Sequence, residues 1–219
     1  MVKCCLFDLD GTLLSTLPTI AHYVNKTLEY DGLAPITLEE CRQFIGDGPR
    51  MLITRAYKAK GRFDEGLLEQ RLSRYKSEYA KNPYYLTESF PGVEDCLKGL
   101  REMGIILCVL SNKQDSAVAE VSEKFFPGIF TIKRGSIDGF PLKPSPELAL
   151  NMISELGVTP GEVVFVGDTD VDMMTGKAMG AKSVGVSWGY RSASDMQRGG
   201  ADAIAYDAQM LFRLIVGDE

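Results

Sequence analysis

The sequence predicts an α/β protein with a doubly wound parallel sheet and an all-helical insertion after the first strand. Short apolar runs without polar alternation recur along the chain, as is typical of strands buried on both faces. Helical patterns lie between most of these runs, and this alternation predicts right-handed crossovers. Residues 15–88 show helical patterns alone. We therefore expect a core formed by residues 1–14 and 89–219 and a helical domain at 15–88.

Four core strands are predicted from their apolar runs. The first is CCLFDL, which leads directly into Asp8 and Asp10, and the others lie at 105–111, 163–168 and 182–188. The core helices are predicted at 93–104, 146–157 and 174–181, the first two ending at a glycine. In the insertion, four helical segments read PTIAHYVNKTLEY, TLEECRQFI, PRMLITRAYKA and EGLLEQRLSRYKSEYAKN.

Composition narrows the classes of function. The 219 residues are 45% hydrophobic and 25% charged, and the net charge of -6 argues against a nucleic-acid-binding surface. No apolar run reaches the length of a membrane span. The five cysteines are odd in number and form no CxxC motif, which favours a reducing compartment. Because the first strand begins almost at Met1, we expect no signal peptide and a cytoplasmic protein.

Polar residues cluster where the predicted strands end. Asp8 and Asp10 follow the first strand, and Ser111 follows the second at the start of the segment SNK. Asp168 ends the strand VVFVGD, with Asp172 one helical turn further on. Ligands of open α/β sheets bind beyond the carboxyl ends of the strands, so these residues are expected to share one crevice. Lys143, just before a predicted helix, is expected to join them.

Several buried carboxylates in one crevice require a positively charged partner. Asp8, Asp10, Asp168 and Asp172 offer oxygen ligands, and oxygen-rich sites suit hard cations, of which Mg²⁺ is the expected one. Lys143 supplies a second positive charge. The sequence therefore predicts a Mg²⁺ site paired with a lysine.

A cation, an ammonium group and a hydroxyl donor together suit a phosphate group. Asp8 is placed to act as an oxygen nucleophile, which would give an aspartyl-phosphate, and Asp10 as the acid and base of the same reaction. Gly11 allows an immediate turn, and Thr12 can hydrogen-bond nearby backbone or carboxylate groups.

The motifs DLDGT, SNK, the lysine of LKPSPE and GDTDVD occur in this order. The chain thereby resembles the haloacid dehalogenase-like hydrolases, most closely the phosphoglycolate phosphatase branch with a helical cap domain. The resemblance covers essentially the whole chain and implies a Rossmann-like core and Mg²⁺-dependent phosphoryl transfer. It implies that the backbone carbonyl of Asp10 binds the metal, that Ser111 and Asn112 bind phosphate, with Gly11 and Thr12 beside them, and that Lys143 holds nucleophile and phosphate together.

The resemblance also implies that a cap loop contacts the substrate. The segment FIGDGPRML offers Gly46, Asp47 and Arg50 for this contact, although a simple turn between helices is an equal alternative. Lys113, next to the phosphate loop, could meet a second anionic group on the substrate.

We therefore predict a Mg²⁺-dependent phosphatase acting on a small phosphorylated metabolite, as a monomer or weak homodimer. A phosphomutase, a phosphonate hydrolase and an inorganic pyrophosphatase of the same fold are alternatives. A non-catalytic binding protein is disfavoured, because the catalytic residues Asp8, Asp10, Lys143 and Asp168 are all present.

Overall fold

The computed structural model describes residues 1–217 of the chain. The chain divides into two compact units. One unit combines residues 1–15 with the chain from Ser89 onward, and the other is formed by Thr16–Glu88. The first boundary lies one residue beyond the expected one, because Ser15 still belongs to a short strand.

The larger unit is built on a six-stranded sheet in the order β5-β4-β1-β6-β7-β8, and all its neighbouring strands run parallel. A separate two-stranded sheet pairs β2 with β3. The strands are β1 (Cys4–Phe7), β2 (Leu14–Ser15), β3 (Glu88–Ser89), β4 (Ile106–Gln114), β5 (Ile132–Ser136), β6 (Val163–Gly167), β7 (Lys182–Val186) and β8 (Ala203–Ala205).

Ten α-helices complete the described part of the chain. Four of them, α1 to α4, belong to the Thr16–Glu88 unit, and the other six follow β3. They are α1 (Leu17–Tyr30), α2 (Leu38–Phe44), α3 (Gly48–Ala59), α4 (Glu65–Ala80), α5 (Val93–Glu102), α6 (Asp115–Phe125), α7 (Glu147–Glu155), α8 (Asp170–Met179), α9 (Ala193–Gly199) and α10 (Ala208–Val216).

The central strand β1 is buried on both faces. Cys5 and Phe7 point into one apolar cluster, which also contains residues of α5, α6 and α10. Cys4 and Leu6 point into a second cluster, shared with α7. Because both faces are covered by helices, the strand is apolar throughout rather than alternating. The predicted α/β class with a doubly wound parallel sheet is confirmed.

The two edge strands of the sheet, β5 and β8, were not predicted from the sequence. β5 contains Lys133 and Arg134, and β8 is three residues long, so neither presents an apolar run. Helix α8 also begins earlier than predicted, at Asp170 rather than at residue 174, because Thr169 caps it with its side chain.

The helices of the Thr16–Glu88 unit begin where local sequence favours a start. Pro18 lies in the first turn of α1, and Thr37 and Glu40 form a capping box at α2. The side chain of Asp64 accepts a hydrogen bond from Gly66 N–H at the start of α4. All four helices predicted in this segment are present. Among residues 1–217, no helix has both the length and the apolar character that a membrane span requires.

Candidate active site

The loop after β1 places Asp8 at the carboxyl end of the central strand. The Asp8 N–H donates to Val166 O at 2.9 Å, which extends the pairing of β1 with β6 by one residue. The chain then turns at Gly11, whose φ of +89° lies in the left-handed region. A Cβ at Gly11 would lie 2.4 Å from Asp168 Oδ2, so only glycine allows the loop to approach this carboxylate so closely.

Lys143 connects Asp8 of the DLDGT motif with Asp172 of the GDTDVD motif. Its Nζ donates to Asp8 Oδ1 at 2.8 Å and to Asp172 Oδ1 at 2.6 Å. Burial by itself would lower the pKa of Lys143, but the charges of Asp172 and Asp8 outweigh this effect and raise it above its ordinary value. The lysine therefore stays protonated and bridges the two carboxylates.

Asp168 is fully buried at the end of β6, and both its oxygens accept hydrogen bonds. The Thr12 hydroxyl donates to Oδ1 at 3.1 Å, and the backbone N–H of Tyr190 donates to Oδ2 at 2.7 Å. A Cβ at Gly189 would lie 2.2 Å from Asp168 Cβ, so the loop after β7 depends on a glycine to reach the carboxylate. Two separate segments, the loop after β1 and the loop after β7, thus fix the orientation of Asp168.

Asp172 lies in the first turn of α8 and completes a capping box with Thr169. Its Oδ2 accepts from the Thr169 N–H at 3.1 Å and from the Thr169 hydroxyl at 2.6 Å, while Oδ1 accepts from Lys143. The helix cap therefore sets the position of Asp172 and, through it, one of the two anchors of Lys143.

Asp8, Asp168 and Asp172 form a cluster of carboxylates that could hold a metal ion, which we call the metal cluster. Each offers a carboxylate oxygen, and these oxygens lie within 4.8 Å of one another. Burial, followed by the repulsion between the carboxylates, raises the pKa of Asp168 well above its ordinary value, and burial raises the pKa of Asp8 to about 6. When all three carboxylates are ionised, the single ammonium of Lys143 leaves the cluster with net negative charge, so the cluster fits a hard divalent cation.

Asp10 stands apart from this cluster. Its two carboxylate oxygens accept hydrogen bonds from Lys113 Nζ at 2.9 and 3.0 Å. The sequence singled out Lys113 as a contact for a second anionic group on a substrate. In the structure, Lys113 instead forms an ion pair with Asp10.

The residues predicted to bind phosphate lie around these carboxylates, yet several of their polar groups already bond within the protein. The Gly11 N–H donates to Leu14 O, and the Thr12 hydroxyl to Asp168. The Asn112 side chain donates to Lys143 O at 3.1 Å and accepts from Lys143 N–H at 2.8 Å. Ser111 Oγ accepts from Lys113 N–H at 3.3 Å, and a hydroxyl that accepts can also donate.

The three residues predicted for substrate contact in the helical unit lie between α2 and α3 or at the start of α3. Gly46 has a φ of +118°. The Asp47 carboxylate accepts a hydrogen bond from Arg55, which also donates to Phe44 O. Arg50 forms an exposed ion pair with Glu69. Substrate contact by these three residues stays a prediction.

Sequence reasoning anticipated Lys143 and Thr12 as partners of the carboxylates but missed other groups that hold the site in place. The hydrogen bond from Tyr190 to Asp168 comes from a backbone N–H, and no pattern of side chains in the sequence predicts it. Thr169 was detectable, because a threonine three residues before Asp172 is the pattern of a capping box. The pairing of Asn112 with the Lys143 backbone joins positions 31 residues apart and leaves no local signal.

Comparison with known proteins found a matching family model and similar relatives. The family model described as haloacid dehalogenase-like hydrolase matches residues 5–186. A phosphoglycolate phosphatase of Pseudomonas putida is 35% identical over 191 residues, which is 84% of this chain and 69% of that protein. A phosphoglycolate phosphatase of Aliivibrio fischeri is 29% identical and covers 98% of this chain and 96% of its own length.

A crystal structure of a Lactobacillus delbrueckii subsp. bulgaricus protein, provisionally assigned as a phosphoglycolate phosphatase, superimposes with a TM-score of 0.92. It is 30% identical to this chain, and the match covers 99% of each. The prediction of an enzyme resembling phosphoglycolate phosphatases is confirmed. The chain belongs to the haloacid dehalogenase-like hydrolases.

Proposed function

We propose that the protein is a Mg²⁺-dependent phosphatase of small phosphomonoesters, with 2-phosphoglycolate as the first substrate to test. The observation that carries the proposal is the buried group of Asp8, Asp168 and Asp172 with Lys143 bridging two of them. The substrate follows from relatives named phosphoglycolate phosphatase at 29–35% identity. The five free, buried thiols suit the reducing cytoplasm as the place of action.

Asp8 is the proposed nucleophile. Lys143 donates to one of its oxygens, which orients the carboxylate at the end of β1. Attack by an Asp8 oxygen on phosphorus forms a P–O bond to the enzyme and breaks the P–O bond to the alcohol, while Asp10 gives the leaving oxygen its proton. Water then attacks the phosphorus, Asp10 takes a proton from that water, and the bond to Asp8 breaks with release of phosphate.

Asp8, Asp168 and Asp172 would hold the Mg²⁺ ion, with the Asp10 carbonyl as a further proposed ligand. When bound, the ion offsets the negative charge of the phosphate group. Lys143 and the Ser111 hydroxyl bind the phosphate oxygens in this proposal, and Asn112 acts on them through the Lys143 backbone. The helical unit, with Gly46, Asp47 and Arg50, is proposed to close over the substrate as a cap.

The test is phosphate release from a panel of esters with Mg²⁺ or EDTA. Wild type, Asp8→Asn and Asp170→Asn are compared on 2-phosphoglycolate, sugar phosphates, pyrophosphate and a phosphonate. Asp170 is the matched control, because it is a carboxylate of the same GDTDVD segment that lies outside the metal cluster. We expect Mg²⁺-dependent release that Asp8→Asn abolishes and Asp170→Asn preserves.

Release that survives Asp8→Asn would refute the proposed nucleophile. Preference for pyrophosphate or a phosphonate would favour those alternatives, and formation of an isomeric phosphate ester without free phosphate would favour a mutase. Analytical ultracentrifugation of the same preparation tests the expected monomer or weak homodimer.

A further inference from the structure

The ion pair between Lys113 and Asp10 is the feature of the site that the proposed chemistry does not yet use. Lys113 lies near the end of β4, and Asp10 lies in the loop after β1, 103 residues away in sequence. One ammonium reaches both oxygens of the carboxylate, at 2.9 and 3.0 Å. The side chain of Lys113 is 8% exposed and that of Asp10 is 18% exposed, so water screens the pair only weakly.

The two lysines of the site serve different carboxylates. Lys143 bridges Asp8 and Asp172 inside the metal cluster, whereas Lys113 holds Asp10, which lies outside it. Without a partner, the Asp10 side chain could rotate toward a cation bound by the carboxylates of the cluster. Two charge-assisted hydrogen bonds to one ammonium favour a single orientation of the carboxylate instead.

The Lys113 backbone is well placed to impose that orientation. Its N–H donates to Ser111 Oγ at 3.3 Å, and its carbonyl oxygen would lie 2.4 Å from a Cβ at Gly135 on the neighbouring strand β5. A glycine is thus needed for β5 to pack this closely. The ammonium is therefore anchored on the sheet, while Asp10 lies just before the turn that begins at Gly11.

We propose that Lys113 is a positioning residue for Asp10, holding its carboxylate at a fixed place beside the nucleophile and out of the metal cluster. This inference rests on the proposed function, because it assigns Asp10 to the leaving group of a phosphomonoester. It extends that function by naming a residue that acts through Asp10 rather than on phosphate.

The inference is tested with Lys113→Met on two kinds of ester. An alkyl ester such as 2-phosphoglycolate needs a proton on its leaving oxygen, whereas p-nitrophenyl phosphate releases a stable anion and needs none. Loss of positioning lowers kcat/KM for the alkyl ester by about 10²-fold, the effect of a catalytic group misplaced by about 1 Å. The loss for the aryl ester is much smaller. Lys113→Arg, which keeps a cation with paired donors, restores most of the alkyl activity.

A double-mutant cycle separates positioning from a structural role. Asp10→Asn and the double variant Asp10→Asn with Lys113→Met are measured on the alkyl ester, and the double variant leaves no unpaired charge behind. We expect Lys113→Met to have no further effect once Asp10 is Asn. Lys133→Met is the control, because it removes a lysine of β5 that pairs with Glu123 on the surface.

Equal losses on both esters, or losses that multiply in the double variant, would overturn the inference. If Lys113→Met fails to fold, Lys113→Gln replaces it in both the single and the double variant, and the same two criteria apply. A wild type that hydrolyses neither ester refutes the proposed function, and the inference falls with it. A wild type that hydrolyses both leaves the proposed function standing, whatever the Lys113 variants show.

Discussion

The buried carboxylate of Asp8 predicts how the stability of the metal-free protein depends on pH. Burial is the largest cause of its raised pKa, which stands at about 6 against an ordinary 3.8. The folded chain therefore holds a proton on Asp8 more tightly than the unfolded chain does. Since the unfolded state binds fewer protons between these two values, the free energy of unfolding falls as pH rises through this window. A rise in the pKa of Asp8 from 3.8 to about 6 lowers the free energy of unfolding by about 3 kcal/mol once the pH is above both values.

Asp8→Asn removes this loss, because an amide of similar size carries no charge at any pH. In EDTA, we expect the stability of the variant relative to wild type to increase by about 2 kcal/mol between pH 4 and pH 7, the part of this change that falls within that window. Lys143 keeps Asp172 as a partner in the variant, so its ammonium is not left without a counter-charge. Mg²⁺ at saturating concentration should then stabilise wild type more than the variant, because binding to the folded state alone adds stability.

The assay is urea unfolding followed by tryptophan fluorescence. Trp188 is the single tryptophan of the chain and donates to Thr12 O at 3.0 Å, so its emission reports on the unit that contains the site. The exposed Asp138, replaced by Asn, controls for the loss of one charge. A difference between Asp8→Asn and wild type that does not change with pH, or that shrinks as pH rises, would refute the reasoning.

Two further predictions concern the groups that orient the site. Gly11→Ala should lower Mg²⁺ affinity by about 10–100-fold in calorimetry, because its Cβ would displace Asp168. Gly32→Ala has a similar φ of +67° but open space around it, and should cost only the backbone strain of about 1–2 kcal/mol, without altering Mg²⁺ affinity. Asn112→Ala should lower kcat/KM by up to about 10²-fold at unchanged Mg²⁺ affinity, because the Lys143 backbone loses both bonds to the amide. An unchanged kcat/KM would show that Asn112 does not position Lys143.

Much of the fold could be predicted because its central strands carry local signals. β1 and β6 are buried on both faces, and an uninterrupted apolar run reports that environment directly. The helices of the insertion were predicted for a similar reason, since amphipathic periodicity and caps are local features. β5 and β8 lie at the edges of the sheet, where fewer apolar contacts are made, so their residues did not identify them as strands.

The candidate site divides in the same way. The sequence by itself determined which chemistry-bearing residues end the central strands, because DLDGT and GDTDVD each begin where one apolar strand ends. The family resemblance already implied that Lys143 holds the nucleophile Asp8, whereas only the tertiary structure showed that Lys143 also pairs with Asp172 and that Lys113 pairs with Asp10. The Lys113–Asp10 pair joins residues 103 positions apart in sequence, and the Lys143–Asp8 pair joins residues 135 positions apart. Such pairings depend on the register between β1 and β4 and on the path of the chain after β5. No local pattern in the sequence predicts either of these.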